Sequence, residues 1–397
     1  ARQLWADITQ TVPPDGFISA ECYDGDTEVL TENGWIKINN LSGEKVLTKD
    51  TNNNSSYVLP QSSVQSVSDK MIQFKAENID LLVSLNHNVW VLGDRRQGNE
   101  GHFEKATDLT DRARIRFDCF FNWIGQDVKS FILDGHKATY RNKKDLPDVE
   151  IDIDDWCEYL GYFVSEGWLH SYRVSIGQDI RSADYPIMRD CVARIAKQCG
   201  KKMKEYINKN CSHMNIFDIR LHNYLKNYTL PKRIPRYILN LPKKQLRIFI
   251  DAYWRGDGES NRTRCFTKDK TLADGIQEIG LKLGYNPSII FRRWKPDFRP
   301  KFNGLVRSGY NVSYKSQFPC VKRHQIKEVD WGKDVYCVTV PGTHLLLIRR
   351  NNKVIWSGNS TPQGRTGLFY EIYQDAKRGI NGFKPFFYPW WWNLRYK

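Results

Sequence analysis

Leu160-Gly161-Tyr162-Phe163-Val164-Ser165-Glu166-Gly167 and Asp251-Ala252-Tyr253-Trp254-Arg255-Gly256-Asp257-Gly258 are two copies of one pattern, 91 positions apart in a chain of 397 residues. Small residues align, Gly161 with Ala252 and Ser165 with Gly256, and within each copy they lie four apart, on one face of a helix. Small side chains at that spacing let two backbones approach, so the pattern predicts two helices packed against each other. The residues after each copy repeat as well. A strand-like run leads to Asp179 or Asp269, then to an amphipathic helix (Val192 to Lys197; Leu272 to Leu283) closed by Gly200 or Gly284. Such a duplication implies an α+β domain with pseudo-two-fold symmetry.

On both sides of this repeat the pattern changes to strands. Thr27 to Leu30 runs into the turn Glu32-Asn33-Gly34, and Trp35-Ile36-Lys37-Ile38 alternates as a half-buried strand does. Asp80 to Val83 and Asn88 to Val91 read as two strands meeting at a bend beside His87. Strand character returns at Val335 to Val340, at His344 to Ile348 and, after Asn351-Asn352, at Val354 to Trp356. The expected architecture is one discontinuous all-β domain, residues 22–147 and 321–359, interrupted by an α+β domain at residues 148–320. The ends, residues 1–21 and 360–397, are short for independent domains and read as pieces of another protein.

Charge divides the same way. The chain has 60 Lys plus Arg against 45 Asp plus Glu, a net of +15, yet Ser171 to Cys320 alone carries +18 and the remainder −3. A basic segment with interleaved aromatics, as in Phe291-Arg292-Arg293-Trp294-Lys295, suits a polyanion, with nucleic acid the default. Nine scattered cysteines without a Cys-x-x-Cys pair speak against a disulfide framework and against structural zinc. No apolar run reaches the ~18 residues of a membrane span, and the first 21 residues do not read as a secretory signal. A soluble, cytoplasmic, monomeric protein with no membrane partner is expected.

Ordered blocks on the β-rich flanks carry a resemblance. Cys22-Tyr23-Asp24-Gly25-Asp26-Thr27-Glu28-Val29-Leu30, then Ser84-Leu85-Asn86-His87, then Val335 to Val340 with His344, and finally Val354-Ile355-Trp356-Ser357-Gly358-Asn359 before Ser360 are similar to the blocks of inteins, whose splicing domain has the Hint fold. The resemblance implies that Cys22 attacks the Glu21 carbonyl to give a thioester, assisted by Ser84 and His87. Ser360 then takes the acyl group, and Asn359 cyclises with His344 as proton carrier, releasing residues 22–359 and joining Glu21 to Ser360. Splicing of this kind needs no cofactor. Two positions depart from the pattern: Gly358 stands where His is frequent, and Cys337 where Asp is common.

The repeated segment resembles the two-motif LAGLIDADG homing endonucleases. By that resemblance Glu166 and Asp257 are paired acidic groups that hold Mg2+ and support hydrolysis of both strands of duplex DNA. Arg173, Gln178, Arg262, Arg264 and Lys268 are expected on DNA-contacting strands, Lys232 and Arg233 among phosphate contacts, and Lys315 as a candidate catalytic lysine. Joined directly, the flanks read Ser19-Ala20-Glu21-Ser360-Thr361-Pro362-Gln363-Gly364, which resembles the ATPase domain of a phage terminase large subunit. The intein-less, phage-encoded terminase gene is then the expected DNA target. Two alternatives are a splicing element whose endonuclease only binds DNA, and a DNA-binding terminase fragment that does not process itself.

Overall fold

The computed structural model describes residues 22–93, 99–138, 144–258, 263–293 and 308–358, together with Arg378; Glu21, Arg262, Asn359 and Ser360 lie outside the described residues. The strands before the repeat are β1 (Tyr23–Asp24), β2 (Glu28–Thr31), β3 (Gly34–Lys37), β4 (Val46–Lys49), β5 (Ser55–Val58), β6 (Ser62–Ala76), β7 (Ile79–Ser84), β8 (Asn88–Leu92), β9 (Gly101–Lys105), β10 (Arg114–Arg116), β11 (Ser130–Leu133) and β12 (Val149–Asp152). The repeat contributes α1 (Ile153–Glu166), β13 (Gly167–His170), β14 (Arg173–Asp179), α2 (Tyr185–Gln198), β15 (Lys204–Asn208), β16 (Cys211–Phe217), α3 (Ile219–Thr229) and α4 (Arg236–Leu239). It continues through α5 (Lys243–Asp257), β17 (Arg264–Thr267), α6 (Lys270–Lys282), β18 (Asn286–Arg293) and β19 (Ser308–Lys315). Then come β20 (Cys320–Lys322), β21 (Ile326–Thr339), β22 (Leu345–Arg350) and β23 (Lys353–Gly358).

Strands from the two sides of the repeat pair with each other. β21 runs antiparallel to β6 from Ile326↔Phe74 to Thr339↔Ser62, with one irregularity between Asp330 and Lys333. A closed set β1-β21-β6-β7 results, and β20 pairs with β10. A second sheet runs β23-β22-β2-β4-β5, so strands on both sides of the repeat share it. The turn between β22 and β23 uses Asn351 and Asn352 at φ 46° and 65°, a conformation asparagine tolerates.

The repeat folds as two α/β units. β13-β14-β16-β15 form one antiparallel sheet and β17-β19-β18 the other. The symmetry is imperfect among the described residues: β13 follows α1 directly as a strand, whereas after α5 Gly258 makes a single bridge to Cys265. Asp152 caps α1 by accepting the Asp154 and Asp155 amides, and Gly200 and Gly284 close α2 and α6 at φ 68° and 87°. α1 and α5 pack through the small residues. A Cβ on Gly161 would lie 2.4 Å from the Phe249 carbonyl oxygen, and one on Gly256 would lie 2.2 Å from Ser165 Oγ.

The two parts share apolar packing. One apolar cluster includes Leu30, Leu47, Leu345, Leu347 and Trp356 from the β part together with Trp156, Leu160, Phe249 and Ile276 from the repeat. The seam also carries buried charge. Arg236 donates to Glu278 at 2.5 Å, to the Tyr57 hydroxyl at 2.9 Å and to the Glu32 carbonyl, while Lys282, fully buried, donates to Glu278 at 2.6 Å and lies 3.9 Å over the Trp123 ring. Arg349 holds Glu28 at 2.7 Å and also pairs with Asp274 of α6. Burial pushes the Lys282 ammonium down to about 8 against the opposing pull of Glu278. No helix among the described residues is long and apolar enough to cross a membrane.

Removing the carboxylate of Glu278 strands two cations inside this seam. Glu278→Gln is expected to destabilise the chain by about 3–5 kcal/mol, read by chemical denaturation; a change under ~1 kcal/mol would mean that the seam is open to water.

Candidate active sites

Cys22 opens the closed β1-β21-β6-β7 set and is fully buried. Its amide nitrogen, the leaving nitrogen if the Glu21–Cys22 bond breaks, donates to Ser84 Oγ at 2.9 Å, and its carbonyl accepts from the Ser84 amide at 3.0 Å. Ser84 ends β7, and the next residues bend so that the His87 amide caps the Ser84 carbonyl at 3.1 Å. The His87 ring is buried, sits edge-on to Tyr23 with centroids 4.5 Å apart, and has Nε2 3.3 Å from Ser357 Oγ. Tyr23 reaches across the barrel end, its hydroxyl donating to the Gly358 carbonyl. Residues 22, 84, 87 and 358 are therefore one neighbourhood, although Tyr23 and Gly358 are 335 positions apart.

His344 stands one residue before the Leu345↔Gly358 pair of the β22–β23 hairpin, at φ 58°. Its Nδ1 lies 2.9 Å from the Val340 carbonyl oxygen. A carbonyl only accepts, so Nδ1 carries a proton, and in the neutral ring Nε2 is then the nitrogen with the lone pair. Gly358, unexpected in sequence, has a steric reason: a Cβ there would lie 2.2 Å from the Asn88 carbonyl oxygen and 3.0 Å from the Phe103 ring.

The hairpin turn is tied to the same strands. Arg350 holds Asp24 at 3.0 Å and Asp80 at 2.6 Å, and Asn351 donates to Asp80 at 2.8 Å. Both carboxylates are almost wholly buried, and Thr27 Oγ1 donates to Asp24 at 2.7 Å.

The second site lies where α1 and α5 end side by side. Burial holds the Glu166 carboxyl above its ordinary value, and the neighbouring Asp257 raises it further. Asp257 is solvent-accessible, yet the protein around it also raises its carboxyl. Lys232, on the segment between α3 and α4, lowers both and donates to the Ser165 carbonyl at 2.6 Å. The two carboxylates offer hard oxygen donors for a divalent cation, which would relieve their repulsion, while Lys232 is a positive neighbour and no ligand. No group of three or more His, Cys, Asp or Glu side chains is gathered among the described residues, so a cation here would draw its other ligands from water or phosphate.

Lys232 was expected only as a phosphate contact, and it is the lysine at the acidic pair. Lys315, the candidate for that role, is instead held by Glu77 at 2.8 Å and Asn78 at 3.1 Å. Its strand end faces the β part, not the helix ends.

Of the expected DNA contacts, Arg264 and Lys268 are exposed, and Arg173 is half-buried on the open face of β14. Gln178 is corrected. It shares the parity of Val174 and Ile176, which are buried in the core, so it belongs to the opposite face from Arg173. The open faces also present residues the charge pattern did not mark. Trp168 packs edge-on to His213, with Tyr206 beyond it, and Ile290 lies on the second sheet beside Arg292, which the basic segment had already singled out.

No protein-family model matches the chain. Among curated proteins it is similar to the C-terminal section of the DNA-directed RNA polymerase subunit beta of Stigeoclonium helveticum, 20% identical over 410 residues, 87% of this chain and 37% of the relative. It is also similar to the ATP-dependent Clp protease proteolytic subunit of Chlamydomonas moewusii, 21% identical over 290 residues (68% of this chain, 28% of the relative). A DNA polymerase of Thermococcus hydrothermalis is 27% identical over 200 residues, 47% of this chain and 12% of the relative. The chain thus spans little more than a third of the longest-matched relative and less of the others. Similar solved structures include the homing endonuclease I-DmoI with DNA and Mn, at 15% identity and TM-score 0.31, covering 41% of this chain and 91% of that one. The AceL NrdHF class 3 split intein matches at 21% identity and TM-score 0.20, covering 33% and 78%.

Because Gly358 meets backbone rather than a movable side chain, Gly358→Ala is expected to lower stability by about 1–3 kcal/mol. Thermal denaturation checks this; an unchanged midpoint would mean that β23 shifts freely against β8.

Proposed function

We propose that residues 22–359 are a self-splicing intein that carries a site-specific double-strand DNA endonuclease in its middle. The observation that supports splicing best is the bond from the Tyr23 hydroxyl to the Gly358 carbonyl, which brings together the two ends of the segment to be excised. The relatives fit the same reading. No single activity joins an RNA polymerase subunit, a protease subunit and a DNA polymerase, and each matches over only part of its length, as an element resident in different hosts would.

The steps follow from the groups present. Cys22 Sγ attacks the Glu21 carbonyl carbon; the C–N bond breaks as Ser84 Oγ, already on the Cys22 nitrogen, steers that nitrogen towards protonation. His87, fixed by its backbone and by Tyr23, is the proton carrier: it protonates the departing nitrogen, and the proton lost by the Cys22 thiol restores it. Ser360 Oγ accepts the acyl group from sulfur. The Asn359 side-chain nitrogen then closes on its own carbonyl carbon and the Asn359–Ser360 C–N bond breaks, His344 Nε2 taking the side-chain proton and passing it to the departing Ser360 nitrogen; the freed Ser360 amine then attacks the ester on its own Oγ, giving the amide and restoring the hydroxyl. Each exchange conserves one acyl link, so no external energy source is required.

For the endonuclease, Glu166 and Asp257 would hold a divalent cation, Mg2+ being the natural hard-oxygen choice, and that ion would polarise the scissile phosphate and lower the pKa of bound water. Lys232 supplies positive charge beside the leaving oxygen. Arg173, Arg264 and Lys268 would meet the duplex from the open sheet faces, with Arg262 as a further contact. The target we assign is the uninterrupted host gene, a phage terminase gene on the reading of residues 1–21 and 360–397. The protein would act in the host cytoplasm as a monomer.

Two experiments test these parts. An Asn359→Ala chain treated with dithiothreitol should release residues 1–21, and Cys22→Ala should abolish the release; cleavage that survives Cys22→Ala would refute the thioester. Ser84→Ala should slow it by about tenfold, the worth of one hydrogen bond, with Ser84→Thr near the parent rate. Duplex DNA carrying the joined Glu21–Ser360 coding sequence should be cut on both strands with Mg2+, and not after chelation or in Glu166→Gln. DNA that is bound and left uncut would establish the binding-only alternative. Lys232→Met should lower cleavage while leaving release of residues 1–21 unaltered.

A further inference from the structure

Cys337 is a buried thiol to which the steps above assign no part, and its position relative to Cys22 is specific. β1 pairs with β21 at Tyr23↔Tyr336 and Asp24↔Val335. One further step in this antiparallel register sets Cys22 opposite Cys337. Residues directly opposite in such a pair put their side chains on one face, with Cα atoms ~4.5 or ~5.5 Å apart. Both values fall within the ~4.4–6.8 Å that a disulfide spans. The packing agrees independently: Cys22 and Cys337 belong to one small cluster with Met71, Leu82 and Val335, and Val335 lies two residues from Cys337 on the same face. All nine cysteines are thiols here, and these are the two that the register sets face to face across strands.

We propose that Cys22 and Cys337 form a reversible cross-strand disulfide, which makes Cys337 a redox-modification site that arrests splicing at its first step. The chemistry balances with a small-molecule disulfide such as oxidised glutathione. One protein thiolate attacks a sulfur of that disulfide, forming a mixed disulfide and expelling one small thiol; the second protein thiolate attacks the protein-bound sulfur, forming Cys22–Cys337 and expelling the other. The protein loses two electrons and two protons, which the small disulfide takes up. Both thiols are buried, so exchange proceeds through local opening, and β1, at two residues, is a short strand to open. Once Cys22 Sγ is bonded to sulfur it cannot attack the Glu21 carbonyl. Reduction restores it. The bond rests on register and packing; its consequence rests on the splicing reading above.

The full Asn359→Ala chain, equilibrated in glutathione buffers from reduced to oxidised, tests both. Non-reducing peptide mapping should find the Cys22 and Cys337 peptides joined and two hydrogens lighter. Hydroxylamine, which cleaves thioesters without reducing disulfides, should release residues 1–21 from the reduced chain, fail with the oxidised chain, and succeed again after dithiothreitol. Cys337→Ser and Cys337→Val should both keep hydroxylamine cleavage in oxidised buffer. Glutathione on Cys22 alone, or equal loss of cleavage in folded Cys337 variants, would overturn the proposal. A joined peptide pair with no cleavage even when reduced would keep the disulfide and refute the splicing reading instead.

Discussion

Tyr23 is the constraint on which the β part depends. Its backbone pairs on one side with Val83 of β7 and on the other with Tyr336 of β21, its ring lies against His87, and its hydroxyl binds the Gly358 carbonyl. Four segments far apart in sequence thus meet around one buried side chain. Position 22 is fixed as a result, because it is the next residue on a strand held from both edges. The Cys22 amide can only fall on Ser84, and its side chain can only face Cys337 and the cluster around it. Gly358 follows from the same closure: β23 is drawn so near β8 that no side chain fits between them.

The repeat is not suspended from the β part by linkers. α6 brings Asp274, Gln277, Glu278 and Lys282 to the backs of β2 and β22, and Arg349 and Arg236 enter that layer from opposite sides. Buried ions of this kind add little stability over apolar packing, but they are costly to leave unpaired and so fix one docking geometry. Docking there leaves the open faces of both repeat sheets free for a ligand, with the acidic pair at the helix ends between them. The repeat also reaches β23 directly, through β18, and β23 precedes Asn359 in the chain.

Much of this was legible in the sequence. The matched small residues at 161, 165, 252 and 256 identify the helix pair because close backbone approach leaves few alternatives. The strands around His87 and the hairpin at Asn351-Asn352 were legible because alternation and turn chemistry are local. Lys232 was not, since one lysine in a segment with +18 net charge carries no periodic mark, and only the fold shows which reaches Glu166. Gln178 was misassigned because a charge and polarity count ignores that it shares the parity of buried Val174 and Ile176 on its own strand. The steric reason for Gly358 and the shared core across the seam are likewise long-range, set by residues hundreds of positions away.

If both junctions belong to one reacting centre, the intact mass of the unaltered full chain after expression and folding shows it most directly. Two products with no other cut are expected, a 338-residue species beginning at Cys22 and ending in a cyclised Asn359, and a 59-residue species in which Glu21 is joined to Ser360. A stable 397-residue chain, or separate 21- and 38-residue ends without their ligated form, would contradict it.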